Sequence, residues 1–351
     1  MAEGQIAYHV PRAQGPKITV IGGGNGLSSM LRGLKGYTEN LSAVVTVADD
    51  GGGSGQLRQD LGMLPPGDIR NCMEALANTE PLMSELLHYR FPEGKLAGQC
   101  FGNLFLAALN GMSPSFDVAV RRMSQVLAIT GQVLPVTNAD VQLEAEFENG
   151  TRIVGESRIF QAKKQQDCRI RRVRLLPERP EALPEALTAI READMLILGP
   201  GSLYTSIIPN LLVDGVVESI LHSDALKIYV CNVMTEDGET EGYTVSDHIA
   251  ALFQHGAPGL FDLCLTNSAP IPREIAARYA AEGAEPIRCD LQRCADLGVE
   301  VISRPVASVV DGFVRHHSAH LARELILLHA ERGMRVAGDR FVKREDAPGS
   351  I

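Results

Sequence analysis

The chain is 351 residues long, which suits one large domain or two modest ones. Apolar residues make up 45% and charged residues 22%, a balance that excludes a mainly disordered or fibrous protein. Lys and Arg number 33 against 43 Asp and Glu, so the net charge is −10 and no basic surplus is available to bind a nucleic-acid backbone.

The first half of the chain begins with a predicted flexible arm, residues 1–16. Residues 17–21 form a short apolar run that predicts a buried strand, and a glycine loop, residues 22–26, follows it directly. Apolar residues at helical spacing predict a helix from Leu27, and β-branched residues at 43–48 predict a second strand. This strand–loop–helix–strand unit requires a parallel sheet.

The rest of the chain continues the same alternation around one insertion. Residues 66–127 are helical in pattern, and short alternating segments with an Asn-Gly turn predict a small antiparallel insert at 133–175. Helices at 184–192, 246–255 and 272–282 then alternate with strands at 195–198, 227–233 and 262–266. A closing helix at 318–333 precedes a polar tail, 334–351. The pattern predicts a single α/β domain, 17–333, with a mostly parallel, doubly wound sheet.

Cysteine usage and the absence of targeting signals bear on the compartment. The seven cysteines form no Cys-x-x-Cys pair, which predicts reduced thiols. No secretory signal is visible at the N-terminus, and no apolar run approaches the ~20 residues needed to cross a bilayer. We therefore expect a cytoplasmic protein with no membrane span.

The first glycine loop is a candidate phosphate site. A loop between a strand and a helix directs free backbone N–H groups and the positive end of the helix dipole at one point, and glycines let a phosphate approach closely. The loop does not match the dinucleotide fingerprint, because the sixth position is Leu27 or Ser29, depending on the starting glycine. A tight turn without a ligand is the alternative.

A second glycine loop follows Asp49 and Asp50 at the end of the second predicted strand. Acidic residues at this point bind ribose hydroxyls in NAD-binding folds, and two adjacent carboxylates also suit Mg²⁺, which prefers oxygen ligands. Asp side chains that cap a turn are the alternative.

Further strand and helix ends carry polar residues. Asp68 is suited to cap a helix, while Arg70 and Asn71 in its first turn, and Asn103 in another helix, could reach a phosphate or a sugar. A Gly-Pro-Gly-Ser loop at 199–202 and single asparagines follow later strands. Because ligands bind at the carboxyl ends of parallel strands, this convergence predicts a binding crevice.

Two other clusters receive less specific interpretations. Basic residues at 163–174 predict either a solvated hairpin face or a polyanion contact. His316, His317 and His320 favour helix capping or solvent exposure over a metal site. The sequence contains no nucleophile elbow, zinc-protease motif or P-loop.

Seven sequence blocks occur in order: GGGNGLS, TVADDGGGSGQLR, LPPGDIRNC, GNLFLAAL, LGPGSLYTSIIPNLLV, CNVMTEDGETEGY and VRHHSAHLA. Over residues 17–330 these blocks resemble the YvcK family of bacterial gluconeogenesis factors, which share a superfamily with 2-phospho-L-lactate transferase. The resemblance implies a Rossmann-like three-layer α/β fold and a UDP-N-acetylglucosamine-type ligand. It also implies a role in cell shape and envelope synthesis during gluconeogenic growth. Envelope-synthesis proteins or kinases are the partners that it suggests, and a homo-oligomer is compatible with it.

The resemblance also extends to individual positions of this chain. It carries over residues 22–26, Asp49, Asp50, Asn71, Asn103, Gly201, Ser202 and Arg315, the last as a bidentate diphosphate ligand. Asn25 and Gly53 depart from the Thr and Ser usual in the family, so hydroxyl contacts there are not expected. With Asp49 and Asp50 as possible Mg²⁺ ligands, the candidate ligand-binding residues are Gly22, Gly23, Gly24, Asn25, Gly26, Gly52, Gly53, Ser54, Asp68, Arg70, Asn71, Asn103, Gly199, Gly201, Ser202, Asn232, Asn267 and Arg315.

Three hypotheses on function follow. The first is a nucleotide-sugar-binding regulator without turnover, because the phosphate-type loops come without an identifiable nucleophile or base. The second is an Mg²⁺-dependent transferase of the phospholactate type, with Asp49 and Asp50 holding the metal. The third, NAD-dependent redox chemistry, is disfavoured by the failed fingerprint.

Overall fold

A computed structural model describes residues 12–166 and 168–345 of the chain. The predicted N-terminal arm lies outside these ranges up to residue 11, and the predicted tail lies outside them from residue 346. The strands are β1 (Ile18–Gly22), β2 (Leu41–Val45), β3 (Gln132–Pro135), β4 (Gln142–Phe147), β5 (Arg152–Val154), β6 (Ile170–Leu176), β7 (Met195–Leu198), β8 (Leu226–Val230), β9 (Leu263–Asn267), β10 (Glu300–Arg304), β11 (Ala307–Val310) and β12 (Phe313–His316).

Helices flank and connect these strands. They are α1 (Gly24–Leu34), α2 (Gly52–Leu61), α3 (Gly67–Leu76), α4 (Pro81–His88), α5 (Phe101–Gly111), α6 (Phe116–Val126), α7 (Glu156–Gln166), α8 (Pro184–Arg191), α9 (Ile208–Leu211), α10 (Val216–Leu221), α11 (Val245–His255), α12 (Arg273–Ala281), α13 (Leu291–Asp296) and α14 (Ser318–Glu345). No helix among the described residues is both long and apolar enough to cross a bilayer.

Seven parallel strands form the main sheet in the order β10-β9-β8-β7-β1-β2-β3. Both faces of its central strands are covered, and all residues of β1 and β7 are buried. Continuous apolar runs, rather than alternating ones, are what such strands require. The predicted doubly wound α/β fold is confirmed.

The antiparallel part differs from the prediction in its extent. Residues 132–135 form β3 and pair in parallel with β2 at the edge of the main sheet. The small antiparallel sheet, in the order β5-β4-β6, therefore begins only at Gln142. Helix α7, which the sequence pattern did not indicate, lies between β5 and β6 in the chain. Strand β3 is only four residues long, and a run this short carries no pattern that shows which sheet the strand joins.

The chain end returns to the start of the fold. Helix α14 begins at Ser318, whose hydroxyl donates a 2.5 Å hydrogen bond to the carbonyl oxygen of Ser29 in α1. A Cβ added at Gly33 would lie 2.2 Å from the carbonyl oxygen of Ser318, so α1 and the start of α14 pack backbone against backbone. This contact places the β11–β12 hairpin, which precedes α14, beside α1. The helix runs to Glu345, beyond the predicted end at residue 333.

Candidate functional site

A cavity of about 770 Å³, called the main cavity below, lies at the carboxyl ends of β1 and β7. The strand order reverses between these two strands, since β2 and β3 follow on one side and β8–β10 on the other. Open parallel sheets bind ligands at this switch point. Among the predicted site residues, those that line the cavity are Gly24, Asn25, Gly26, Asp49, Asp68, Gly201, Ser202, Asn232 and Arg315.

The first glycine loop has two kinds of glycine. Gly24 begins α1 with φ +71°, lines the cavity, and has only the Ser206 hydroxyl within 4 Å of an added Cβ. Added Cβ atoms at Gly23 and Gly26 would instead lie 2.5 Å from the Asp68 carboxylate and 2.8 Å from the carbonyl oxygen of Pro200. The helix therefore starts earlier than the predicted Leu27, and only Gly24 leaves a clear approach for a ligand.

The loop after β7 packs against the first loop, and the backbone N–H groups that follow it are already bonded. The Glu239 carboxylate accepts hydrogen bonds from the backbone N–H groups of Leu203, Tyr204 and Thr205, at 2.9, 3.0 and 3.0 Å. A buried protein carboxylate thus occupies the anion position that the Gly-Pro-Gly-Ser pattern predicted for a phosphate. The sequence could not show this, because Glu239 comes 36 residues after Leu203.

A second carboxyl group connects Glu239 to the cavity. Glu236 is hydrogen-bonded to Glu239, accepts a 2.9 Å hydrogen bond from the Ser202 hydroxyl, and lines the cavity. Burial raises the pKa of both carboxyl groups. Two carboxyl groups that bond each other share a proton, so this pair carries less negative charge than two free carboxylates.

Asn232 holds the other side of the same loop. Its Nδ2 donates a 2.8 Å hydrogen bond to the carbonyl oxygen of Gly201, and its Oδ1 accepts a 3.3 Å bond from the N–H of Gly201. An added Cβ at Gly201 would lie 2.9 Å from the carbonyl oxygen of Gly23. The two glycine loops are therefore fixed against each other by backbone contact, with Asn232 as a brace.

Besides Glu236, three carboxyl groups line the cavity: Asp49, Asp68 and Glu156. Asp68 does not cap its helix as predicted, because Pro66 occupies the cap position and Asp68 is the second helical residue. Its carboxylate accepts the backbone N–H of Gly24, and burial, with the neighbouring Asp49 charge, raises its pKa to about 6. Burial first, and then the other acidic groups, raise the pKa of Asp49 and, by more, of Glu156.

Asp49 and Asp68 could supply part of the coordination shell of a bound Mg²⁺. No three Asp, Glu, His or Cys side chains among the described residues are already arranged around a single metal position. Asp49 and Asp68 nevertheless present oxygen donors to one space, and burial is the main cause that raises the pKa of each. One or two carboxylates, completed by water and substrate phosphates, are the usual protein ligands of Mg²⁺. The donor set therefore fits the ion.

Asp50 and the second glycine loop serve the fold around this wall. Asp50 does not line the cavity; its Oδ1 accepts a 2.9 Å hydrogen bond from the N–H of Ser157. The Ser54 hydroxyl bonds Asp49, and Gly52 and Gly53 begin α2, none of them in the lining. The predicted Asp49–Asp50 pair is thus replaced in the cavity by Asp49 and Asp68.

Other predicted residues also lie outside the lining. Arg70 is buried and donates hydrogen bonds to Glu74 and Asn71, at 2.5 and 2.6 Å, so neither Arg70 nor Asn71 faces the cavity. Asn103 is buried in α5. Asn267 accepts three backbone N–H bonds that hold the end of β9. Gly22, Gly23 and Gly199 complete the set outside the lining, as the last residue of β1, the residue that follows it, and the first residue after β7.

Arg315 reaches the site from the end of the fold. It lies on β12, exposed, with its guanidinium 5.5 Å from the Phe313 ring centroid, and it lines the cavity with both loops. His316 beside it is half-buried with its ring nitrogen Nε2 enclosed, and this burial lowers its pKa to about 4, so the ring is neutral. The Nδ1 of His317 accepts the N–H of His320 at 3.2 Å, which agrees with the predicted helix-capping role.

The basic residues of the segment at 163–174 are paired with acidic residues, except Arg169, which lies over the Tyr243 ring. Arg171 and Arg172 bond Glu146, and Arg174 bonds Glu144. Lys163 is almost fully buried and bonds Glu241 at 2.8 Å, while Lys164 bonds Asp237. The charges are compensated within the fold, and Lys163 and Lys164 lie on α7 rather than on a hairpin.

Several cavity residues had no signal in the sequence. Glu156 lies on the unpredicted helix α7, and Ser206, Tyr279 and Val314 come from elements whose mutual position depends on tertiary packing. Glu236 was visible within the block CNVMTEDGETEGY but was not singled out. Its position at the end of β8, next to Asn232, was the available clue.

Comparison with known proteins places this fold in a class. The pattern of the family described as 2-phospho-L-lactate transferase CofD matches residues 18–307. The crystal structure of a Bacillus halodurans protein superimposes with a TM-score of 0.86 at 44% identity, covering 89% of this chain and 100% of that one. The chain belongs to the CofD family.

Similar full-length relatives narrow the position within that family. A protein from Thermoanaerobacterium thermosulfurigenes is 54% identical over 312 residues, 89% of this chain and 96% of its own. A Bacillus subtilis protein named gluconeogenesis factor is 47% identical over 319 residues, 91% of this chain and 99% of its own. The resemblance to the gluconeogenesis factors is therefore confirmed.

Proposed function

We propose that the main cavity binds a nucleotide diphosphate sugar of the UDP-N-acetylglucosamine type together with Mg²⁺. One observation carries the proposal: Gly24, the loop at 200–202 and Arg315 share a single cavity with Asp49 and Asp68 at the switch point of the sheet. The cavity volume, about 770 Å³, falls within the ~300–1,000 Å³ range of small-molecule sites.

The charges of the cavity support the proposed metal. Among the residues that the structure describes, Arg315 is the one cationic side chain in the lining, against the acidic residues Asp49, Asp68, Glu156 and Glu236. A diphosphate would be repelled by this wall unless a divalent cation lay between them. With Mg²⁺ on Asp49 and Asp68, the guanidinium of Arg315 would bind the phosphate oxygens in a bidentate manner from the opposite side.

Polar uncharged groups are available for the sugar. Asn25, Ser29, Ser202, Ser206 and Thr235 line the cavity around the two loops. Amide and hydroxyl groups are the partners that sugar hydroxyls require, since each buried hydroxyl without a partner costs about 1–3 kcal/mol. This set supports a sugar in preference to a flat redox cofactor.

We further propose that the protein acts as a ligand-binding regulator of cell shape and envelope synthesis during growth on gluconeogenic carbon sources. The name of its relatives, gluconeogenesis factor, supports a role in such growth. A transferase reaction on a nucleotide diphosphate donor is the second candidate, favoured by the family description as 2-phospho-L-lactate transferase. In that case Mg²⁺ on Asp49 and Asp68 would neutralise the departing diphosphate.

A binding panel followed by product analysis tests the proposal. Purified protein is titrated with UDP-N-acetylglucosamine, GDP and NAD in Mg²⁺ buffer, and the bound nucleotide sugar is then followed by ³¹P NMR. Saturable binding of an intact nucleotide sugar supports the regulator. Cleavage of its phosphate bonds supports the transferase, and preferential binding of NAD contradicts both.

A further inference from the structure

A second, smaller pocket of about 230 Å³ adjoins the main cavity. The two share Asn232 and Val233, so a ligand in one can continue into the other. We call it the side pocket. It lies at the carboxyl ends of β8 and β9, beyond β7 in the sheet.

The walls of the side pocket are held by backbone contacts. Helix α12 contributes Ala276 on one side, and the segment at 286–289 contributes Ile287 and Cys289 on the other. The N–H of Ile287 donates a 3.1 Å hydrogen bond to the carbonyl oxygen of Val233. The side pocket is therefore part of the folded scaffold.

The chemistry of the two spaces is opposite. No charged side chain lines the side pocket within the described part of the chain, whereas carboxylates and an arginine line the main cavity. Its two amides are already used: Asn232 bonds Gly201 at both ends, and Asn267 accepts three backbone N–H groups. The Thr266 hydroxyl is bonded to that of Ser303 at 2.8 Å. What remains is an uncharged space walled by apolar side chains and by polar groups that are already hydrogen-bonded.

We propose that the side pocket receives the nucleobase of the ligand, with the ribose passing over Asn232 and Val233 and the diphosphate in the main cavity. This inference rests on the proposed function. From β7 to β9 is two strand spacings, about 10 Å. That is the order of the distance between the phosphates and the base in an extended nucleotide.

The other parts of the ligand fit the side pocket poorly. A sugar would bury hydroxyls against apolar walls and already bonded amides, leaving them without partners. A diphosphate would lie far from Arg315 and from Asp49 with its metal. A heteroaromatic base instead buries two apolar faces and needs few polar partners.

A pair of substitutions on one helix tests the assignment. Ala276→Phe fills the side pocket, whereas Ala277→Phe, one residue further on α12, adds the same ring on an exposed position outside the lining. UDP and inorganic pyrophosphate, each with Mg²⁺, are titrated calorimetrically into wild type and both variants. We expect Ala276→Phe to weaken UDP by on the order of tenfold or more, ~1.4 kcal/mol, and to leave pyrophosphate unchanged. Ala277→Phe should leave both unchanged.

The outcomes separate the two proposals. Equal UDP affinity in wild type and Ala276→Phe overturns the base pocket while the main cavity assignment stands. If wild type binds UDP no more tightly than pyrophosphate, the base pocket is likewise overturned and the main cavity assignment stands. Binding of neither probe to wild type overturns both.

Cys289 gives an independent readout at the side pocket. Of the seven cysteines it is the exposed one, and it lines this pocket. We expect UDP to slow maleimide labelling of Cys289 in proportion to its occupancy, and pyrophosphate to have no effect, with Cys289→Ser as the control for site. Equal labelling with and without saturating UDP contradicts the assignment.

Discussion

The Oδ1 atom of Asp50 accepts a 2.9 Å hydrogen bond from the backbone N–H of Ser157, 107 residues later in the chain. Ser157 is the second residue of α7, and Glu156 before it lines the main cavity. Asp50 therefore fixes the helix that supplies Glu156, while its neighbour Asp49 faces the cavity itself. Two adjacent carboxylates have different tasks.

Substitution of these two aspartates distinguishes the tasks. Asp49→Asn removes a charge from the cavity, so we expect the Mg²⁺ dependence of UDP-N-acetylglucosamine binding to fall by on the order of tenfold or more. Asp50→Asn keeps an oxygen that can accept the Ser157 N–H, and binding should change little. Calorimetry with Mg²⁺ and with EDTA measures both, and an equal loss in the two variants would place both carboxylates on the metal.

Gly24 should be required for ligand binding, in addition to the positive φ that it supplies to the fold. Gly24 and Gly62 both have positive φ, +71° and +64°, but Gly62 ends α2 with nothing within 4 Å of an added Cβ. Alanine at either position costs about 1–2 kcal/mol of folding free energy in this conformation. We expect both variants to lose similar stability in denaturant titrations and only Gly24→Ala to lose ligand affinity. Comparable affinity in the two variants would remove the first loop from the site.

Arg315 should contribute its planar, two-pronged contact. Hydrogen bonds between charged groups are worth about 1.5–3 kcal/mol each, so Arg315→Ala should weaken nucleotide-sugar binding by about tenfold or more. Arg315→Lys should restore part of the affinity, because a point charge lacks the fork. Arg121→Ala, which removes an exposed guanidinium of α6, is the matched control and should bind as wild type does. Unchanged affinity in Arg315→Ala would exclude a diphosphate contact.

Asp68 links ligand binding to stability through pH. Its pKa is about 6 in the fold against 3.8 for the free side chain, so the folded state holds the proton more tightly. The resulting stabilisation is complete below about pH 4 and is lost as the pH rises through about 6. Asp68→Asn stays neutral at every pH. In the absence of Mg²⁺ this variant should therefore melt about 2–4 °C above wild type at pH 7.5, and at the same temperature as wild type at pH 4.

The same variant should lose the metal-dependent part of binding at pH 7.5, because an amide is a poorer Mg²⁺ ligand than a carboxylate. Thermal melts in EDTA from pH 4 to 8, beside calorimetry with Mg²⁺, follow both effects. A melting-temperature difference that does not vary with pH would contradict the raised pKa.

The sheet and the position of the site could be predicted because the signals are local. The apolar run of β1, the glycines after it and the β-branched run of β2 define the first unit, and convergence of strand ends predicts the crevice. Tertiary contacts were not predictable in this way. Glu239 occupies the N–H groups of the second loop from 36 residues away, and the start of α7 depends on Asp50. The bonds of Glu239 and the start of α7 can therefore be assigned only once the three-dimensional fold is known.

The most direct test is calorimetric titration of UDP-N-acetylglucosamine into wild type and Arg315→Ala, each in Mg²⁺ and in EDTA. We expect saturable binding of one ligand per chain for wild type in Mg²⁺, weaker by on the order of tenfold or more when either the metal or the guanidinium is removed. Binding of the nucleotide sugar that is equal in all four titrations, or absent in wild type with Mg²⁺, would contradict a diphosphate held between Arg315 and a metal on Asp49 and Asp68.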